Sequence, residues 1–329
     1  MRIWHFVVAM GLLPCSIALA QTSPPTTSTG EPFPSRPVTL VASGGGLVDT
    51  VARFLAPFLS ERWKQPVIVE AKTGASGQIA SEFVARSAPN GHTLLFNSAA
   101  AYAIVPAVFK NLRYDPANDF VGVSMLGSVG FVMLVNKDFN VKNMAEFQAF
   151  VRASPGKYNY ASPGAGSSHH FGMELLKQRL GLVIQPVQYK TVPAMAADLL
   201  GGQVQMMLLS TTSGMPYVES GRARLLTLTG ATRLPAAPDV ATFREQGLGY
   251  MDAIESWFGV VAPAKTPRQA VGRINQDLRA VIELPQVREF LQKQGMTPGT
   301  STPEEFDALI RADLIRWAKL AAEMKLTAD

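Results

Sequence analysis

The sequence predicts an α/β chain of two domains, each a sheet covered by helices. Short β-rich runs alternate with amphipathic stretches along most of the length, the pattern of strand–helix units. The chain has 329 residues, which at roughly 150 per domain gives two cores. A single cysteine excludes a disulfide framework or a thiolate metal cluster, so those cores must be held by apolar burial.

The elements follow in order. Met1-Arg2, the apolar run from Ile3 to Leu13 and Ala18-Leu19-Ala20 form a secretory signal, with cleavage expected after Ala20. Pro14 before Cys15 spoils a lipobox, so no lipid anchor is expected. Residues 21–34, rich in Thr, Ser and Pro, read as a flexible leader. The product is expected to be exported, to the periplasm, and soluble. Pro37-Val38-Thr39-Leu40-Val41-Ala42 is the first strand. A glycine turn follows, then Val51, Phe54, Leu55, Phe58 and Leu59 at helical spacing, with Asp49 placed to cap and Pro57 to kink or end the helix. Val67-Ile68-Val69 and Thr93-Leu94-Leu95-Phe96 are two further buried strands, and the β-α-β-α-β order argues for a parallel sheet. A second series starts at Phe131-Val132-Met133-Leu134-Val135 and continues with strands near residues 158–161, 187–189, 204–209 and 225–228. Between them a helix from about Ser168 to Leu180 stops at Gly181, and another ends at Gly201-Gly202. The last third is helical. Thr266-Pro267-Arg268-Gln269 and Thr302-Pro303-Glu304-Glu305 both fit a capping box with proline at the first helical position.

The composition narrows function. The net charge of +5 comes without a Lys/Arg block, which suits small anions mildly and gives no case for nucleic acid. There is no G-x-S-x-G elbow, Walker A loop or H-E-x-x-H. Gly164-Ala165-Gly166-Ser167-Ser168-His169 opens like a dinucleotide fingerprint, but His169 takes the place of the third glycine and no acidic ribose partner follows. Ser167 and His170 lack an orienting acid, and adjacent His169-His170 diverge on a helix with no third ligand near. No cofactor, metal or catalysis is expected.

Three glycine loops read better as binding elements. Each follows an apolar strand and precedes a helix, so each lies at the carboxyl end of a sheet, where ligands of open α/β folds sit. They are Ser43-Gly44-Gly45-Gly46-Leu47-Val48-Asp49, Lys72-Thr73-Gly74-Ala75-Ser76-Gly77 and Ser162-Pro163-Gly164-Ala165-Gly166-Ser167-Ser168. The third ends at a helix N-terminus, whose free amides and dipole suit a carboxylate or phosphate. The bland reading of each is a tight turn, with Ser167 and Ser168 only capping the helix.

At these loops the chain resembles the solute-binding receptors of tripartite tricarboxylate transporters, the Bug receptors. The resemblance runs from Arg36-Pro37 to the final helix. It is carried by Gly45-Gly46 with Asp49, by Gln65-Pro66-Val67-Ile68-Val69-Glu70 before Gly74-Ala75-Ser76-Gly77, and by Tyr114-Asp115-Pro116 with Asp119-Phe120. Asn159-Tyr160-Ala161-Ser162, Gly164, Gly166 and His170 continue it, followed by Tyr189-Lys190, Leu199-Leu200-Gly201-Gly202-Gln203-Val204, Pro238-Asp239-Val240 and Ser256-Trp257-Phe258-Gly259.

The resemblance implies a periplasmic-binding-protein (Venus flytrap) fold with a ligand cleft between two α/β domains and crossover strands near residues 131 and 256. One domain would comprise residues 35–130 and 256–329, the other 131–255. It implies capture of a small organic carboxylate, di- or tricarboxylate or aromatic, and its delivery to a membrane permease by a monomer. The ligand-binding set carried over is Ser43, Gly44, Gly45, Gly46, Asp49, Gly74, Ala75, Ser98, Ser162, Gly164, Ser167, Ser168, His170 and Ser210. Departures from the family pattern at Ala42-Ser43-Gly44, Asn97 to Tyr102, Thr191, Gln205 and Leu209 imply a roomier, more apolar pocket. The alternatives are an exported hydrolase using Ser167 or Ser168, and the same fold signalling to a sensor kinase.

Overall fold

The structure is a computed structural model that describes residues 33–43, 46–164 and 167–327. The expected signal, nearly all of the leader, and the calls on Gly44, Gly45 and Gly166 lie outside those residues. Among the described residues no helix is long and apolar enough to cross a membrane.

The chain begins with β1 (Val38–Ala42), α1 (Gly46–Trp63) and β2 (Val67–Ala71). A short turn at Ala75–Gly77 leads into α2 (Gln78–Ala85) and β3 (Thr93–Ser98). A helical segment Ala100–Ile104 then runs into α3 (Val105–Val108), followed by β4 (Phe120–Val129). The second series is β5 (Phe131–Asn136), α4 (Met144–Arg152), β6 (Asn159–Ser162), α5 (Ser168–Leu180), β7 (Gln185–Gln188), α6 (Val192–Leu200), β8 (Met206–Ser210), α7 (Thr211–Glu219) and β9 (Ala223–Leu228). The chain returns through β10 (Ser256–Pro263), α8 (Arg268–Ile282), α9 (Pro285–Lys293), β11 (Thr297–Pro298) and α10 (Pro303–Met324).

Two sheets result, in the orders β11-β4-β10-β3-β1-β2 and β7-β6-β8-β5-β9. Gly130 alone separates β4 from β5, yet they belong to different sheets, and the chain comes back to the first sheet at β10. The parallel sheet expected from the sequence is only part of the answer. β1 is parallel to β2 and β3, and β6 to β7 and β8, but β10 runs antiparallel to β3 and β4, and β5 antiparallel to β8 and β9. The antiparallel strands include the two that carry the chain between sheets.

Local signals set most helix ends. Ser167 caps α5 and left-handed Gly181 stops it, while Thr302 and Glu305 close a full capping box on α10. Thr266 does not do the same for α8. That helix starts at Arg268 without a side-chain cap, and the Thr266 hydroxyl is buried unpartnered. Pro57 does not end α1, which runs on to Trp63; the proline lies on the exposed face. The packed structure begins slightly before the expected position 35. Phe33 is buried, edge-on to Trp63 and His92.

Helix α10 belongs to both cores. Phe306 and Ile310 pack with Trp257 under the first sheet, whereas Trp317, Leu320 and Ala321 join the core around the second. Trp317 meets Phe171 of α5 edge-on, with ring centroids 4.6 Å apart.

Candidate functional site

A cavity of about 330 Å³ lies between the two sheets. The first sheet and its loops contribute Ser43, Leu47, Ser76, Asn97, Ser98, Ala100, Ala101, Val129, Ser256 and Phe258. The second contributes Phe131, Ser167, Ser168, His169 and Ser210. The walls thus combine apolar surface with serine hydroxyls, and no Lys or Arg is among these lining residues.

The positions follow from topology. Ser43 follows β1, Ser98 ends β3 and Ser210 ends β8, all at carboxyl ends of strands. Leu47 lies in the first turn of α1, Ser168 begins α5 and Ser210 caps α7. Three helix N-termini therefore border one cavity, and each brings amides that have no carbonyl within its own helix. Their dipoles add a positive field without a formal charge.

Asn97 is the most informative side chain. It is 1% exposed, its Oδ1 accepts from the Ser98 amide at 2.9 Å, and its Nδ2 is buried with no partner. An unpaired buried donor is costly, and this one belongs to a residue that lines the cavity. The backbone beneath it is strained. Gly74, Ala75, Ser76 and Gly77 all have positive φ, two of them non-glycine. A side chain at Gly77 would be strained, since its φ is +92° and a Cβ there would lie 3.0 Å from both Asn97 Nδ2 and Ala101 Cβ.

The third loop divides its serines by role. The Ser167 hydroxyl donates to the Gly164 carbonyl at 2.7 Å and accepts from the His170 amide at 3.2 Å. Its proton is committed, and it acts as a cap. Ser168 lines the cavity at the first position of α5. His169 presents its ring to the cavity, edge-on to Phe131. Burial pushes its pKa down to about 4, so the ring is neutral near pH 7.

Of the residues singled out from the sequence, Ser43, Ser98, Ser167, Ser168 and Ser210 come together on the cavity wall. Others lie beside or behind it. Gly46 begins α1 next to the lining Leu47, and Asp49 pairs with Arg53 at 2.9 Å along the same helix. Gly74 and Ala75 support Ser76 without lining the cavity. Ser162 is fully buried and His170 is 5% exposed, and they bond to each other behind the third loop. Gly164 is held by that pair. The ligand-binding set read from the sequence omits Asn97, His169 and the aromatic walls, and also Ser76, although Ser76 lies in the second glycine loop. Asn97 stands beside Ser98 at the carboxyl end of a strand, and His169 beside His170 at a helix start, so position alone could have indicated both.

A family model described as tripartite tricarboxylate transporter family receptor matches residues 51–326. BugT of Bordetella pertussis is 31% identical over 311 residues, spanning 93% of this chain and 94% of that protein. Among solved structures, Rpa4515 of R. palustris with adipate superposes with a TM-score of 0.78 at 30% identity, covering 90% of this chain and 99% of that one. MatC from Rhodopseudomonas palustris with bound malate gives 0.74 at 29% identity, covering 88% and 99%.

Proposed function

This chain belongs to the tripartite tricarboxylate transporter receptor family, and from that membership we propose that it captures a small dicarboxylate in the periplasm and hands it to a membrane permease. It is a solute-binding receptor with the two-domain periplasmic-binding-protein fold. The observation that carries the ligand reading is the cavity itself. Three helix N-termini and Asn97, whose Nδ2 has no partner, border it, while none of its lining residues is a Lys or Arg. Neutral donors and helix dipoles hold a carboxylate without demanding a counter-charge. Leu47, Val129, Phe131 and Phe258 supply apolar wall for a hydrocarbon middle, as in adipate, the ligand of one structural neighbour.

The signal at residues 1–20, cleaved after Ala20, supports the periplasmic assignment. Sheet membership supports domains of 35–130 with 256–329 and of 131–255, with the end of α10 packed on the second. A hydrolase reading through Ser167 and His170 is not favoured. His170 faces Ser162 and Tyr160 instead of the cavity, and the Ser167 proton is committed to Gly164. A thermal-shift screen tests the proposal. A dicarboxylate at a hundred times its Kd should stabilise the fold by about 2.7 kcal/mol, and the matching diamine should not. Equal stabilisation by the diamine, or none by any dicarboxylate, would sink the reading.

A further inference from the structure

We infer that Ser162 and His170 are positioning residues that hold the third loop in its anion-binding shape from behind; this rests on the carboxylate reading above. Gly164 and Ser167 are both tied to one residue, His170. The ring of His170 places Nδ1 2.9 Å from Ser162 Oγ, and that hydroxyl accepts from the Gly164 amide at 3.0 Å. The backbone amide of His170 meets Ser167 Oγ, which donates in turn to the Gly164 carbonyl. Gly164 is thereby fixed through both its amide and its carbonyl.

The ring is held at Nδ1. The Tyr160 phenol donates to Glu174 across 2.5 Å, and Glu174 also accepts from Lys177 Nζ at 2.6 Å. A carboxylate only accepts, so the phenol oxygen is left as an acceptor. A proton on Nδ1 is shared between that oxygen at 3.1 Å and Ser162 Oγ, whereas a bare Nδ1 accepts the Ser162 proton, so either tautomer keeps the Ser162 contact. Tyr160 and Ser162 are fully buried, so these bonds have no competition from water. An imidazole bonded at Nδ1 to two buried hydroxyls is a rigid backstop for the first turn of α5, where Ser168 lines the cavity. Aim matters there, because hydrogen bonds weaken steeply with misalignment.

The test is calorimetric titration of the mature chain with adipate, or with malate where adipate gives no heat, on the wild type, His170→Leu and His170→Asn, with melting curves alongside. Asn sets an amide where Nδ1 stood. His170→Leu should weaken binding about tenfold or more at a temperature where it is fully folded, and His170→Asn should recover to within about threefold. Wild-type affinity in folded His170→Leu, with only the melting temperature lowered, would overturn the inference and leave the receptor reading intact. Where His170→Leu does not fold, Ser162→Ala removes the other half of the contact and carries the same expectation: about tenfold weaker binding supports the inference and unchanged affinity overturns it. A wild type that binds no carboxylate would overturn the receptor reading itself.

Discussion

Ser167 and Ser168 are neighbours with different work. Ser167→Ala removes an N-cap together with the tie to the Gly164 carbonyl, so it should cost about 1 kcal/mol of stability and also weaken binding by the folded protein about as much as Ser162→Ala does. Ser168→Ala and Asn97→Ala each remove a donor at the cavity, so each should weaken dicarboxylate binding about tenfold, read by titration calorimetry. The sequence alone could not divide the two serines, because the difference lies in which carbonyl Ser167 meets. It did place both at a helix start, from the loop glycines and the apolar spacing that follows. The position of His170 behind the loop was hidden for a related reason. Adjacent residues on a helix point different ways, and only the packing of Tyr160 decides which histidine turns inward. His169 makes a separate prediction. Its folded pKa of about 4 lies below the ordinary 6.5, so the unfolded chain takes up a proton that the native ring refuses. The stability from its neutral form is full above pH 6.5 and is lost as pH falls toward 4. Melting curves should therefore fall more steeply over that range for wild type than for His169→Asn.

At the scale of elements, α7 links the cavity to the opposite domain. Ser210 at its start lines the cavity, and Thr212 in its first turn donates across the gap to the Gln294 carbonyl beyond α9 at 2.6 Å. Gly295 makes that approach possible. Its φ is +71°, and a Cβ there would sit 1.7 Å from Thr212 Oγ1. Gly295→Ala should therefore hold the domains apart, speed ligand release in stopped-flow measurements and enlarge the scattering radius of the liganded protein. An unchanged release rate would count against closure through this contact. Helix termini were the most legible features of the chain, since capping is local chemistry. Thr302 with Glu305 is read correctly, while Thr266 shows the limit: the same residue pattern fits, but that threonine is buried and makes no cap bond.

The whole molecule hides its mixed sheets from sequence. β4 carries Gly122, Ser124, Gly127 and Ser128, which break the apolar run that marks a strand. Their reasons are long-range. The Gly122 amide donates to Asp307 Oδ1 of α10 at 2.6 Å, and a side chain at Gly127 would strike the Thr297 carbonyl of β11. The joining of the two cores by α10 is likewise a tertiary fact. Trp257 Nε1 donates to buried Asp313 Oδ2 at 2.7 Å, and one turn on, Trp317 packs against Phe171. Trp317→Ala should destabilise the protein by about 3–5 kcal/mol in chemical denaturation, since the ring is 1% exposed. What reaches across both domains is the anion cavity, and its occupant is the central claim. The most direct measurement is a crystal structure with the dicarboxylate that gives the largest thermal shift. One carboxylate is expected between the domains, within hydrogen-bond distance of the first amides of α5 and of Asn97 Nδ2. A ligand held instead by a Lys or Arg outside the cleft, with that cavity holding only water, would contradict it.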